Sequence, residues 1–327
     1  MEGTRASRGN GDGVACIDVR GLTKVFETGR RRRRRRVEAV RNISFSVAPG
    51  ERLAYIGPNG AGKSTSIKIM TGILHATEGD VRVLGLVPWR ERRALTRRIG
   101  TLFGQRSQLW FELTPRQSFR MLAAIHRLDR RAGDARVAEL AELLDAGDLF
   151  DTPVRNLSLG QRMRCELAAC MLHQPEVLFL DEPTIGLDLL AKQLFRDLLV
   201  QLNRERGTTI FLTSHDVADV EHVAQRVVVV NHGQVIYDAG VAALRRTLLS
   251  TKLIDVGLTG PVQPLDLAGV IVVKHTDNGA KLVVDTAARS VRDVLDVVLD
   301  SWPVADISVV DPPLEDVIAE IYGAART

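Results

Sequence analysis

Gly57-Pro58-Asn59-Gly60-Ala61-Gly62-Lys63-Ser64-Thr65 fits the phosphate-binding pattern G-x-x-x-x-G-K-[ST]. The glycines let successive backbone N–H groups turn inward and cradle phosphate oxygens. Lys63 supplies a cation for the β and γ groups, and Ser64 can hold magnesium. The flanks agree: Glu51 to Ile56 reads as a strand and Ser64 to Met70 as a helix, whose N-terminus faces the phosphates. A strand, a glycine-rich turn and a helix in this order predict an α/β nucleotide-binding domain.

Working outward, Val177-Leu-Phe-Leu180 is an apolar run that ends in Asp181-Glu182-Pro183. A parallel strand interior holds no charge cheaply, so paired acids at its carboxyl end fall where ligands bind in open α/β sheets. Asp181 is placed to hold magnesium. Glu182, one residue on and pointing the other way, could orient or deprotonate an attacking water. A third strand, Thr208 to Thr213, ends at Ser214-His215-Asp216, which puts His215 at the same carboxyl edge and predicts a γ-phosphate contact. Between these strands the pattern turns helical. Ser118 to Ile125 and Val137 to Leu144 carry apolar residues at helical spacing, Pro153 closes the insertion, and Asn156-Leu-Ser-Leu-Gly-Gln161 opens an amphipathic helix through Met171. Upstream, Ala15 to Arg20, Leu22 to Phe26, Val37 to Val40 and Ile43 to Val47 read as strands. Phe26 could stack on an adenine ring or pack inward.

From Ile17 to Ala239 the chain resembles the ATP-binding subunits of ABC transporters. Gly57 to Thr65 looks like the family's Walker A, Gln105 its Q-loop glutamine, Leu157-Ser-Leu-Gly-Gln161 its signature motif and Val177 to Glu182 its Walker B with the catalytic glutamate. Gly186-Leu-Asp188 looks like its D-loop and His215 its switch histidine. The resemblance implies ATP and Mg2+ as cofactors, with Ser64, Gln105 and Asp181 on the metal and Glu182, His215 and Gln105 as catalytic residues. Phe26, Gly57 to Thr65, Ser158, Gly160, Gln161 and Asp188 would contact nucleotide. Leu159 stands where Gly is usual in the signature, Phe26 where Tyr is commoner, and Gln108 lies close to Gln105, although counting from Ile99-Gly100 favours Gln105. It also implies a head-to-tail dimer in which one subunit's signature covers ATP on the other's Walker A. A helix N-terminus at Ser158 and Gly160 suits a γ-phosphate so exposed.

The implied partners are transmembrane permease subunits on separate chains and a second nucleotide-binding subunit, as homodimer or heterodimer. The implied place is the cytoplasmic face of the cell membrane, as a peripheral protein. Other ABC ATPases fit less well. Those of translation carry two nucleotide domains in one chain, and this chain has a single Walker A; those of chromosomes and repair need a long coiled coil, and no such heptad run occurs. Glu182 and His215 speak against a module that holds ATP without turnover. The stretch Gly104 to Trp110 is similar to a branch of ABC-2-type exporters linked to drug and viologen-like cation efflux.

The fold class expected is therefore α/β: an ABC-type P-loop ATPase domain over residues 14–240, with mixed sheet core, antiparallel β subdomain and helical subdomain at about 106–165. A small α+β C-terminal extension would occupy 241–327 and a disordered tail residues 1–13. The extension shows a hairpin turn at Asp277-Asn278-Gly279, a helix marked by Val291, Val294, Leu295, Val298 and Trp302, and a last helix from Leu314 to Tyr322. Its stretch Pro313-Leu-Glu-Asp-Val317 resembles extensions of ABC-2 exporter subunits, with dimer contact, regulation or capping of the sheet as roles.

Apolar runs such as Val227 to Val230 are strand-sized, far short of the ~18 continuous apolar residues of a spanning helix, and no secretory leader is expected. The three cysteines, Cys16, Cys165 and Cys170, lack metal-ligand spacing and suit core packing in a reducing compartment. Seven arginines at 30–36 carry the basicity, for without them the formal charge of +4 becomes −3. The run reads as a solvated loop, with anionic lipid headgroups or nucleic acid as other readings, and no nucleic-acid partner is expected for the chain.

Overall fold

The computed structural model describes residues 15–28, 35–104, 106–243, 251–260, 265, 267–276 and 279–310. The tail Met1 to Gly13, Arg30 to Arg34, Gln105, Asp277, Asn278 and the expected helix Leu314 to Tyr322 lie outside them. The chain divides into two compact units, Met1–Asp238 and Ala239–Thr327.

In the first unit the elements run β1 (Ile17–Thr28), β2 (Arg35–Val47), β3 (Arg52–Ile56), α1 (Lys63–Met70), β4 (Glu78–Val83), α2 (Arg92–Leu95), β5 (Ile99–Phe103), α3 (Pro115–Ile125), α4 (Arg130–Leu143) and α5 (Leu159–Met171). They continue with β6 (Val177–Asp181), α6 (Leu189–Arg206), β7 (Thr209–Thr213), α7 (Val217–Val223), β8 (Arg226–Asn231) and β9 (Gln234–Gly240). The central sheet has the order β5-β6-β7-β3-β8-β9, parallel from β5 through β8. Its inner strands β6 and β7 are buried almost throughout, as their unbroken apolar runs require. A second sheet, β2-β1-β4, is antiparallel. Phe45, Tyr55, Phe211 and Phe179 join the two sheets in a chain of tilted ring contacts with centroids 5.4 to 5.5 Å apart.

Two expectations are corrected here. The four short strands read upstream of the phosphate loop are two long ones, because Gly21 and Asn42 take positive φ (61° and 49°) as bulges without leaving the ladder. The arginine run is not wholly a loop: Arg35 and Arg36 already belong to β2, in register with Thr28 and Glu27.

Helices α3, α4 and α5 share a core with Phe119 and Phe150, whose rings meet edge to face at 4.8 Å. The starts of α3 and α5 are set by capping boxes, Thr114 with Gln117 and Ser158 with Gln161. In the second unit β10 (Thr251–Leu258), β11 (Val270–Thr276), β12 (Gly279–Asp285) and β13 (Val304–Val310) form an antiparallel sheet of order β11-β12-β10-β13, with α8 (Val291–Ser301) between β12 and β13. Val294, Val298 and Trp302 bury against Ile254, Val256, Leu282 and Val284. Among the described residues no helix is long and apolar enough to cross a membrane.

Candidate active site

The carboxyl ends of β3, β6 and β7 converge on a cavity of about 650 Å³. Gly57, Pro58, Asn59, Ser64, Asp181, Glu182 and His215, all named from sequence, line it. Gly62 precedes α1 at φ 103°, and a Cβ there would stand 2.5 Å from the Ala39 carbonyl oxygen, so only glycine brings the loop against β2. Ala61 is buried, its N–H donating to the Pro58 carbonyl at 3.1 Å, which closes the loop turn. Gly60 sits exposed at the loop's tip and Thr65 half-buried in α1.

Lys63 is the cation of the site and is 6% exposed. Its Nζ donates to the Gly57 carbonyl at 2.6 Å and lies 3.5 Å from Glu182 Oε1. A buried ammonium held by the Gly57 and Pro58 carbonyls and one carboxylate is poised to donate to phosphate oxygens. Ser64 Oγ donates to Asp181 Oδ1 at 3.3 Å, which sets a hydroxyl and a carboxylate side by side as hard oxygen donors of the kind Mg2+ takes. Thr213 Oγ1 also donates to Asp181 Oδ1, at 2.7 Å, and receives the Glu182 N–H at 3.1 Å.

Strand β6 ends at Asp181, so Glu182 does not take its direction from strand alternation as the sequence suggested. Its φ of 53° turns the chain, and its carboxylate meets Lys63 on one side and His215 Nδ1 on the other. His215 is held from behind, since Ser214 Oγ donates to buried Asp219 at 2.6 Å, as does Thr184 Oγ1 at 2.6 Å. Arg196 Nε bonds Asp219 at 2.6 Å and Lys192 Nζ bonds Asp216 at 2.7 Å. Burial alone would raise the Asp216 carboxyl, but the Lys192 and Arg196 cations hold it below its ordinary range.

Other predicted residues stand apart from the cavity. Ser158, exposed, caps α5, whose next residues include half-buried Gly160 and Gln161; none of the three lines the cavity. A Cβ on Gly160 would approach Ala191 Cβ to 2.8 Å, so glycine lets α5 and the start of α6 come together. Asp188 caps α6 by accepting from the Ala191 N–H at 2.8 Å. Phe26 lies on β1 with Lys24 Nζ 5.1 Å from its ring centroid and does not line the cavity. Gln105 is outside the described residues, although its neighbours Gly104 and Arg106 line the cavity. Gln108 is turned elsewhere, its Nε2 donating to the Thr101 carbonyl at 2.7 Å and to Cys170 Sγ at 3.0 Å. Cys165 and Cys170 are core residues whose thiols burial pushes up to about 12.

Sequence reasoning missed Lys68, Ile73, Phe103, Arg106 and Ile185 in the lining, and Thr213 behind it. Thr213 left no signal in the sequence, because only the register of β7 against Val177–Asp181 sets it opposite Asp181.

A phosphate loop, a buried lysine, a serine and aspartate pair and a glutamate braced by histidine define a nucleoside-triphosphatase of the phosphate-loop class. The family model described as ABC transporter matches residues 40–185. The chain is 36% identical over 240 residues to the daunorubicin resistance ATP-binding protein DrrA3 of Streptomyces coeruleorubidus, covering 72% of this chain and 75% of that one. It is 30% identical over 217 residues to the ABC transporter ATP-binding protein NatA of Bacillus subtilis (strain 168), covering 66% and 88%. Among solved structures it is similar to cbiO1 of Clostridium perfringens, described as part of the ABC transporter complex cbiONQ, with a TM-score of 0.63, 27% identity and coverage of 72% and 93%. The chain belongs to the ATP-binding proteins of ABC transporters, and it is an ATPase.

Proposed function

We propose that this chain is the energy-coupling ATPase of an ABC-2-type exporter of drugs or other small amphipathic or cationic compounds, bound to permease subunits at the cytoplasmic face of a membrane. The observation that carries the catalytic half is Glu182, held between Lys63 and His215 at the rim of the cavity that Ser64 and Asp181 share. Ser64 and Asp181 would hold Mg2+, which when bound supplies positive charge for the phosphate oxygens. Lys63 leaves its contact with Glu182 for the γ-phosphate as nucleotide enters. The freed carboxylate then orients the attacking water and accepts its proton, while His215 keeps the carboxylate aimed. Gln105, from its position between cavity-lining Gly104 and Arg106, would serve the metal and the water.

The site of one chain lacks the signature helix, because Ser158, Gly160 and Gln161 do not line its cavity. The capped N-terminus of α5, with Ser158 exposed, would supply the missing donors to a second copy's γ-phosphate, with Asp188 beside it. Phe26 would stack on the adenine from β1. The exporter half is supported by likeness to a daunorubicin resistance protein.

A tagged Glu182→Gln chain, incubated with ATP and magnesium and recovered from detergent-solubilised membranes, tests the reading. Stoichiometric recovery of a multi-span membrane protein is expected. Recovery of this chain alone, as an ATP-dependent dimer, would replace the exporter reading with a soluble ABC ATPase.

A further inference from the structure

The stretch Arg90-Glu-Arg92-Arg93-Ala-Leu-Thr-Arg97-Arg98 sets one acid among five arginines, and the single turn α2 within it buries only Leu95. Arg98 is held by Glu176, with Nε and Nη2 donating at 2.5 and 2.9 Å. Arg92, Arg93 and Arg97 have no ion-pair partner among the described residues, and all three line a cavity of about 550 Å³. The same cavity is lined by Arg127, also without an ion pair there, and by His126 and His173, whose stacked rings are 3.9 Å apart. No carboxylate among the described residues lines it. Buried Thr71, Ile99, Ala169 and Cys170 close it beneath the exposed arginines. Two details show a wall that is incomplete by itself. Arg127 follows the cap of α3 at φ 59°, a conformation that usually falls to glycine, so an arginine is kept there for its side chain. His173 Nδ1 is buried without a hydrogen-bond partner, which marks a place for a water or an ion.

We infer that this cavity binds a small soluble anion carrying two or more phosphate groups. Four guanidinium groups around one concavity are matched by several negative charges, and the planar fork of each can take two phosphate oxygens at once. A monovalent anion leaves most of that charge uncompensated. A metal ion finds no hydroxyl and carboxylate pair of the kind that Ser64 and Asp181 form. Burial first, then the Arg97 cation, holds the His126 imidazole below its ordinary range, the response of a base to positive surroundings. The volume suits a small molecule, since sites for such ligands run to roughly 300–1,000 Å³, whereas membranes and nucleic acids are met by open basic faces. The bound anion ties α2 to the end of α3. Ile73 lines both this cavity and the catalytic one, so occupancy is placed to adjust turnover from outside the phosphate loop.

Calorimetric titration of magnesium-free sodium tripolyphosphate into the full chain tests this, with Lys63→Ala present throughout so that the phosphate loop does not compete. One equivalent is expected to bind and to raise the melting temperature. Arg92→Gln, Arg97→Gln and Arg127→Gln together should weaken binding by about tenfold or more, since charge-assisted contacts are lost. Arg120→Gln, Arg130→Gln and Arg131→Gln, an equal loss of charge elsewhere on α3 and α4, should leave it within about twofold because salt screens distant charges. All six arginines are exposed, so both variants keep the packed core. Absence of binding in the Lys63→Ala chain, or equal weakening in the two triple variants, overturns the inference. So does a cavity that ignores tripolyphosphate yet takes an octaglutamate peptide or phosphatidylglycerol vesicles through the same three arginines, which would make it the seat of an acidic protein segment or of a lipid headgroup.

Discussion

Lys63 shows how much one side chain can carry when it is buried among the Gly57 and Pro58 carbonyls and the Glu182 carboxylate. Lys63→Ala removes the cation from a site where it is 6% exposed and leaves the Gly57 carbonyl and Glu182 without it. Turnover should fall by roughly 100-fold or more, the scale of losing one charge-stabilising group, with weaker nucleotide binding by fluorescence titration. Activity within threefold of the parent would show that phosphate is bound elsewhere. Thr213 is a subtler case, since its hydroxyl orders Asp181 and receives the Glu182 N–H. Thr213→Val keeps the shape and removes both bonds, which should cost about 1 to 3 kcal/mol of stability and raise the magnesium concentration needed for half-maximal turnover severalfold. A changed stability with an unchanged magnesium requirement would confine Thr213 to structure. The loop and the acid pair were legible because a phosphate site needs fixed residues at fixed spacing along one segment. Thr213 was not, because its role comes from the register of β6 against β7, which no local pattern records.

At the scale of elements, α6 and α7 are tied by charge rather than by apolar packing alone. Arg196 and Asp219, with side chains 5% and 1% exposed, form a buried pair that also anchors Thr184 and Ser214. Asp219→Ala leaves the Arg196 guanidinium buried with only Asp216 for company, and should destabilise the first unit by about 3 to 5 kcal/mol in urea unfolding. A loss below 1 kcal/mol would mean that the network does not hold the two helices. On α5 and the turn after it, His173 makes a different commitment. Burial first, then the His126 ring stacked 3.9 Å away, holds its imidazole down from 6.5 to about 4. Between those values the unfolded chain binds a proton that the folded chain refuses, so stability drops as pH falls from 6.5 toward 4. His173→Phe should flatten that part of the melting-temperature profile, and an identical slope in both proteins would refute the assignment. The caps at Thr114 and Asp188 emerge only in the fold, whereas helix positions were readable from apolar spacing at Ser118 to Ile125 and Val137 to Leu144 and from the helix start at Ser158. The lengths of β1 and β2 were not, because residues that usually break strands, Gly21 and Asn42, act there as bulges.

For the whole molecule, the decisive fact is that each unit buries its own core. The aromatic chain from Phe45 to Phe179 and the helical cluster around Phe119 belong to the first, while Ile254, Leu282, Val298 and Trp302 belong to the second. Cores that share no side chains can unfold separately, so calorimetry of the full chain should resolve two transitions. All the phosphate-site residues described lie in the first unit, and ATP with magnesium at a hundredfold excess over its dissociation constant should stabilise that transition by ~2.7 kcal/mol while the other stays in place. A single transition moved as a whole by ATP would show that the two cores unfold as one.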